Sequence, residues 1–230
     1  MNYGRAFTYM TDDPQWLKKF AIAALLCLTI IGGIPVLGWG LEITRRVLNG
    51  EPDLLPEWDN FGDFVVKGLQ VFVISFVYSL PSIIVNVCTR SLPLIVENIN
   101  GDAAQAIGSV VTVVSLCLGC ILFFYSIAIW FYLPAAVANF AATGEIGAAF
   151  RFNEILGLLR AAPGPYIIVL LLSIVTYIIT LIGIIACVIG IFVTGAYSLT
   201  VNVHLWGQAY KVAKSMPGSL PPMAPAAPSM

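Results

Sequence analysis

Three groups of residues in this chain have the types and spacing to do chemistry. Pro56-Glu57-Trp58-Asp59, followed by Asp63, places three carboxylates within seven residues, a short way beyond the arginine pair Arg45 and Arg46. Such a group could ligate a hard cation or meet a basic partner. It lacks the spacing of a calcium loop, however, and each acid has plainer work available. Asp59 or Asn60 can cap the helix that the next apolar run predicts, and Asp63 stands four residues before Lys67, the spacing of an ion pair across one turn. The plainer reading weighs more. Arg45, Arg46, Glu57, Trp58, Asp59 and Asp63 are kept as a candidate interfacial or partner site.

The second group is Cys117 and Cys120, a C-x-x-C that in a soluble protein invites metal or redox chemistry. Here it falls within an apolar run and has no second pair, whereas a zinc site takes four ligands. Cysteine acting as a small packing residue accounts for it. The third group is a stripe. Tyr197, Thr200, His204, Gln208 and Lys211 recur at spacings of three or four, so they share one face of a predicted last helix, flanked by Ser198 and Asn202. Polar groups on a membrane helix face protein or water and can mark a path for a solute or a proton. They also serve as hydrogen-bonding glue between helices, with a lysine reaching out to the headgroups. A proton relay wants a carboxylate at mid-depth; the nearest, Glu42, falls near the base of the first apolar hairpin. The structural reading of the stripe weighs more. There is no Walker loop, H-E-x-x-H, G-x-S-x-G or paired catalytic carboxylate, so neither an enzyme, a cofactor nor a metal is expected.

The elements that must position these groups follow from composition. Of 230 residues, 59% are apolar and 10% charged, against about 25% charged in soluble domains, and the mean hydropathy is +0.92. That balance names lipid as the solvent. A net charge of −1 supplies no basic field to neutralise phosphates along a duplex, which argues against nucleic acid as a partner. The five cysteines, at 27, 88, 117, 120 and 187, are odd in number and lack the spacing of a secreted disulfide framework.

Along the chain, residues 1–16 interleave Phe7, Tyr9 and Trp16 with Arg5 and polar groups, as at a headgroup boundary. Asp13-Pro14 predicts a helix start with the aspartate as N-cap. Basic residues directly before the first apolar run, which ends in Gly32-Gly33-Ile34-Pro35, do not form a cleaved leader, so this helix is expected to be retained. Residues 20–43 could span once. The glycines and proline in their middle instead predict a hairpin with arms 17–31 and 36–47. Arms of about 15 residues reach roughly 22 Å, short of a ~30 Å hydrocarbon core, so such a hairpin would be partly re-entrant. A wet segment, 49–63, an apolar run, 65–87, and a loop, 90–101, come next. Asp102 and Gln105 resemble a capping box opening a long helix, which Pro134 is expected to kink or end near Asn139. Residues 145–160 predict an amphipathic helix with Ala149, Phe152, Ile155, Leu156 and Leu159 on one face and Arg151 and Glu154 on the other. Pro163-Gly164-Pro165 breaks it, and apolar runs 166–189 and 191–213 complete the membrane portion. Gly183, Cys187, Gly190 and Thr194, like Ser115 and Gly119, predict close helix contacts. Residues 1–214 read as one membrane domain, and the proline-rich tail 215–230 as disordered.

A faint repeat runs through this order. Gly4-Arg5-Ala6-Phe7 is echoed by Gly147-Ala148-Ala149-Phe150, and Asn60-Phe61-Gly62-Asp63-Phe64 holds the corresponding place in between. The implied unit is an interfacial segment followed by two membrane helices, used three times. Charge chooses the number of crossings. With four spans, Arg5, Lys18, Lys19, Arg90, Lys211 and Lys214 face Arg45, Arg46, Lys67, Arg151 and Arg160, six against five, and five spans give four against seven. Six membrane helices leave only Arg90 of the eleven basic residues outside. The expected fold class is therefore an all-α polytopic membrane helical bundle of about six helices with cytoplasmic amphipathic segments and both termini cytoplasmic.

The succession Gly38-Trp39, Arg45-Arg46, Gly50, Leu55-Pro56-Glu57-Trp58-Asp59, Phe61-Gly62, Lys67-Gly68-Leu69 and Leu80-Pro81 resembles a prokaryotic membrane family, the domain of unknown function numbered 4013. Pro134 to Asn139, Ala149-Phe150 and Gly207-Gln208-Ala209-Tyr210 are similar to its later landmarks, so the resemblance covers residues 4–212. It implies an integral protein of the prokaryotic cytoplasmic membrane and carries over no catalytic residue. The alternation of segments and helix pairs also resembles membrane domains attached to glycerophosphodiester phosphodiesterases. The expected function is a non-catalytic scaffold or accessory, membrane-organising subunit. The alternative is a small transporter or channel along the last-helix stripe. The expected partners are the lipid bilayer and a protein within a membrane complex, a second copy included.

Overall fold

The computed structural model describes residues 1–29, 31–96, 102–185 and 188–216, and among these every regular element is helical. The α-helices are α1 (Tyr3–Thr8), α2 (Trp16–Cys27), α3 (Gly33–Asn49), α4 (Phe61–Val96), α5 (Asp102–Thr143), α6 (Phe152–Ala161), α7 (Pro163–Ile185) and α8 (Val188–Ser215). Short 3-10 turns stand at Tyr9–Asp12, Trp58–Asn60 and Ile146–Phe150. Three helical stretches, Trp58–Ser91, Gln105–Thr143 and Pro163–Ile185, are long and apolar enough to cross a membrane. The chain divides into two compact units, one of Met1–Ile74 with Pro134–Met230 and the other of Ser75–Leu133.

In the first unit the chain turns where the glycines and proline predict. α2 stops at Cys27 and α3 starts at Gly33. A side chain on Gly32 would strike the Leu26 carbonyl, so the tight turn requires glycine there. The helix start differs from expectation by two residues. α2 begins at Trp16, because Asp13 spends one carboxylate oxygen on the Gln15 amide, 2.7 Å, and the other on Lys19. α3 ends on Gly50, whose φ of 72° favours glycine, with the Gly50 and Glu51 amides closing onto the Val47 and Arg46 carbonyls.

α3 and the start of α4 meet backbone to backbone. A methyl on Gly38 would collide with the Phe64 carbonyl, and one on Gly68 with the Ile34 carbonyl, so two glycines set this crossing. α7 and α8 approach in the same way: Gly183 faces Thr194 and the Gly190 carbonyl. That close contact was legible from the small residues, whereas Gly119 has no atom of another element within 4 Å. Cys187 lies outside the described residues, as does the tail from residue 217.

Two further expectations are corrected. Of the two outcomes expected at Pro134, a kink or an end near Asn139, the end does not occur; α5 runs on to Thr143 and stops at Gly144, φ 74°. Residues 135–141 are all buried there, and their packing offsets the hydrogen bond a proline removes. The amphipathic stretch 145–160 is not one helix, because Arg151 (φ −78°, ψ 75°) separates the 3-10 turn from α6. The chain's own packing buries Ala148, Ala149, Ile155, Leu158 and Leu159 but leaves Phe152 and Leu156 exposed. The apolar face is thus wider than the core it covers.

The second unit consists of the helix segments Ser75–Leu133 contributed by α4 and α5. The Tyr125 hydroxyl donates to the Tyr78 carbonyl, 2.7 Å, and the Tyr78 and Tyr132 rings lie 5.5 Å apart. Large apolar side chains dominate its surface, among them Leu116 (70% exposed) and Phe124 (69%).

Candidate functional site

The Pro-Glu-Trp-Asp block lies in the first unit and closes over the α2–α3 hairpin. Lys19 is the pin. Its ammonium, almost wholly buried on α2, contacts the Asp13 carboxylate at 2.6 Å, the Leu55 carbonyl at 3.0 Å and the Glu57 carboxylate at 3.1 Å. Three acceptors match the three donors of an ammonium, which is what makes its burial tolerable. Two tryptophans complete the latch. Trp39 Nε1 donates to the Pro56 carbonyl (3.0 Å) and Trp58 Nε1 to the Lys19 carbonyl (2.9 Å). Their rings stack at 5.4 Å, with Phe64 edge-on to Trp58. Burial would raise the Asp13 carboxyl, but the Lys19 ammonium and the Gln15 amide overcome it and hold the group below the usual aspartate range.

The other predicted members of this site separate into two kinds. Arg46 turns inward: Nη1 donates to the Asp53 carbonyl at 2.9 Å, and Nε lies 3.7 Å from Glu51. Asp63 pairs with Lys67 at 2.7 Å as the i,i+4 spacing predicts, and Lys67 also binds Glu42 at 2.6 Å, joining α3 to α4. Arg45 and Asp59 are exposed and have no ion-pair partner among the described residues. Of the six, these two are the ones available to something outside the chain.

The α8 stripe does occupy one face, and its partner is the chain's own beginning. Tyr197 Oη donates to the Phe7 carbonyl at 3.1 Å, and the Thr200 hydroxyl contacts Met10 Sδ. The Thr200 carbonyl accepts from Tyr9 Oη at 3.1 Å. His204 is buried and stacks on the Tyr9 ring at 4.5 Å with a 13° interplanar angle. Gln208 brackets Asn2, accepting from its amide at 2.9 Å and donating to its carbonyl at 3.2 Å. Gln208 Nε2 also lies 3.2 Å from His204 Nδ1, which makes that nitrogen the acceptor and leaves the ring proton on Nε2. Lys211 donates to the Val47 carbonyl at the C-terminus of α3, 3.3 Å. The stripe is thereby a docking strip for residues 2–10 and the end of α3.

Ser198 and Asn202 belong to a separate seam between α7 and α8. Ser173 donates to Asn202 Oδ1 (2.6 Å), Asn202 Nδ2 to Thr176 (2.9 Å), and Ser198 to the Thr176 carbonyl (2.7 Å). Scattered serines and threonines carry no periodic signal, so only the α8 side of this seam was legible. The sequence offers Asn139 as a helix boundary and a family landmark, not as a member of a site. Fully buried, it donates to the Ala148 carbonyl at 3.0 Å and accepts from Tyr210 Oη at 2.8 Å, tying α5, the third 3-10 turn and α8 together. Cys117 and Cys120 are free, exposed thiols, and among the described residues no cluster of His, Cys, Asp or Glu could hold a metal.

These features define an all-helical protein with three helices suited to a bilayer and polar seams that tie its elements to one another. The chain belongs to the family described as Protein of unknown function (DUF4013), whose model matches residues 21–193. No curated protein and no solved structure matches it.

Proposed function

We propose that this chain is a multi-pass protein of a prokaryotic cytoplasmic membrane that acts without catalysis, as a scaffold or accessory subunit organising the membrane around it. One observation carries the reading. Each side chain of the α8 stripe contacts residues 2–10, the end of α3 or its own helix, which is the work of a strip that docks the chain onto itself. Exposed surface supports the reading too: Arg45 and Asp59, and the apolar rim of α6 at Leu156, suit the headgroup boundary or a partner there.

Six membrane helices with cytoplasmic termini complete the proposal. Its support is that each of three helix pairs, α2–α3, α4–α5 and α7–α8, is preceded by a segment containing a 3-10 turn, the order expected of a threefold repeat. α2 and α3, of 12 and 17 residues, reach about 18 and 26 Å, so the first pair enters the bilayer without fully crossing it. A cysteine at position 48, in a background without the native thiols, is expected to react with an impermeant maleimide only from the side that holds the termini. Reaction from the opposite side alone overturns the topology. Replacing His204 and Gln208 by leucine separates the functional readings. A variant that folds and retains the parent's partners excludes a path through the stripe, whereas loss of a solute flux with the fold intact overturns the scaffold.

A further inference from the structure

A cleft of about 400 Å3 lies in the first unit beside the stripe, lined by residues that include Arg5, Gly50, Glu51, His204, Gln208 and Lys211. That volume is within the range of small-ligand pockets. Its charge is uneven. Arg5 sits on α1; among the described residues its guanidinium has no carboxylate within 4.0 Å, and it also borders a second, much smaller cavity with Asp12, Asp13 and Asp53. Lys211 gives one donor to the Val47 carbonyl and keeps two. The acid of the larger cleft, Glu51, is already engaged: one oxygen accepts from Asn49 at 3.0 Å and the other lies 3.7 Å from Arg46. Gly50, fixed by its φ of 72°, lies beside the Lys211 ammonium, which a Cβ there would meet in ordinary contact at 3.6 Å. Gln208 and His204 are fixed by Asn2 and Tyr9, so the polar wall between the two cations is preorganised.

We propose that the cleft between Arg5 and Lys211 binds a phosphate group, borne either by a lipid headgroup or by a small soluble phosphate. A forked guanidinium and a point ammonium facing one cavity are the donor pair suited to phosphate oxygens. The site is built wholly from residues of one unit, so it stands or falls independently of the six-helix topology.

The test uses the full chain in neutral detergent with two probes, inorganic phosphate and phosphatidylglycerol in mixed micelles, each titrated by calorimetry. At least one is expected to bind saturably. Arg5→Gln, which breaks no side-chain hydrogen bond or ion pair among the described residues, is expected to weaken that binding about tenfold, with Arg5→Lys recovering part of the loss. Binding of inorganic phosphate identifies a soluble ligand, and binding of phosphatidylglycerol alone identifies a headgroup. Saturation by neither probe, or an affinity unmoved by Arg5→Gln in a protein with unchanged melting, overturns the proposal.

Discussion

The two units solve the problem of burying helices with opposite side chains. α5 shows both solutions. Before Pro134 none of its described residues from 105 to 133 is buried by the chain, and valines, leucines, isoleucines and phenylalanines dominate the large side chains there. After Pro134 the same helix reads Ala135-Ala136-Val137-Ala138-Asn139-Phe140-Ala141, and every one of these is buried. The glycine crossing of Gly38 with Gly68 belongs to the same unit as this second half. Where no other part of the chain covers a helix, bulky apolar side chains surround the backbone; where another helix is the neighbour, small residues bring two backbones together and polar atoms join them. Hydropathy therefore marks the uncovered half more strongly than the packed one.

That contrast can be broken by substitutions of graded severity, followed by thermal unfolding in detergent. The largest effect is expected from Gly68→Leu, because the new side chain meets the Ile34 backbone; it should cost about 3 kcal/mol or more and lower the midpoint steeply. Asn139→Ala comes next, at about 2 kcal/mol, since it strands the Ala148 carbonyl and the Tyr210 hydroxyl in the interior. A smaller effect follows acidification. A carboxyl held low in the folded chain stabilises above its unfolded pKa and loses that contribution as pH falls through its folded one. The Asp13–Lys19 contact should thus loosen only below the ordinary aspartate range, visible as a change in tryptophan emission that Asp13→Asn abolishes. The smallest effect is expected in the other half of α5, where Leu116→Ala should change stability by less than about 0.5 kcal/mol. A large loss there would mean that protein, and not lipid, covers that face.

The helix order and the first turn were legible because hydropathy and glycine-proline punctuation act locally. The stripe was legible for the same reason, as a periodicity within one helix. Its occupant was not: nothing near Asn2, Phe7 or Tyr9 announces a partner some 190 to 206 residues away. Lys19 shows the same limit. In sequence it is one of two basic residues before an apolar run, and only the fold brings Asp13, Leu55 and Glu57 around it. The helix end allowed for at Pro134 does not occur: its local cost is real, but the packing that offsets it is tertiary. Arg151 broke the amphipathic stretch because its contacts with Glu145 (2.6 Å) and Glu154 (3.7 Å) hold a bend that apolar periodicity does not register.

Residues 2–10 dock onto residues 197–208, and synthesis runs in one direction. Residues 2–10 are therefore made long before the strip that receives them, and these contacts can close only once residue 208 has been added. Until then Tyr9 and Met10 can pack only against partners already made, such as Ala23, Val36 and Trp39.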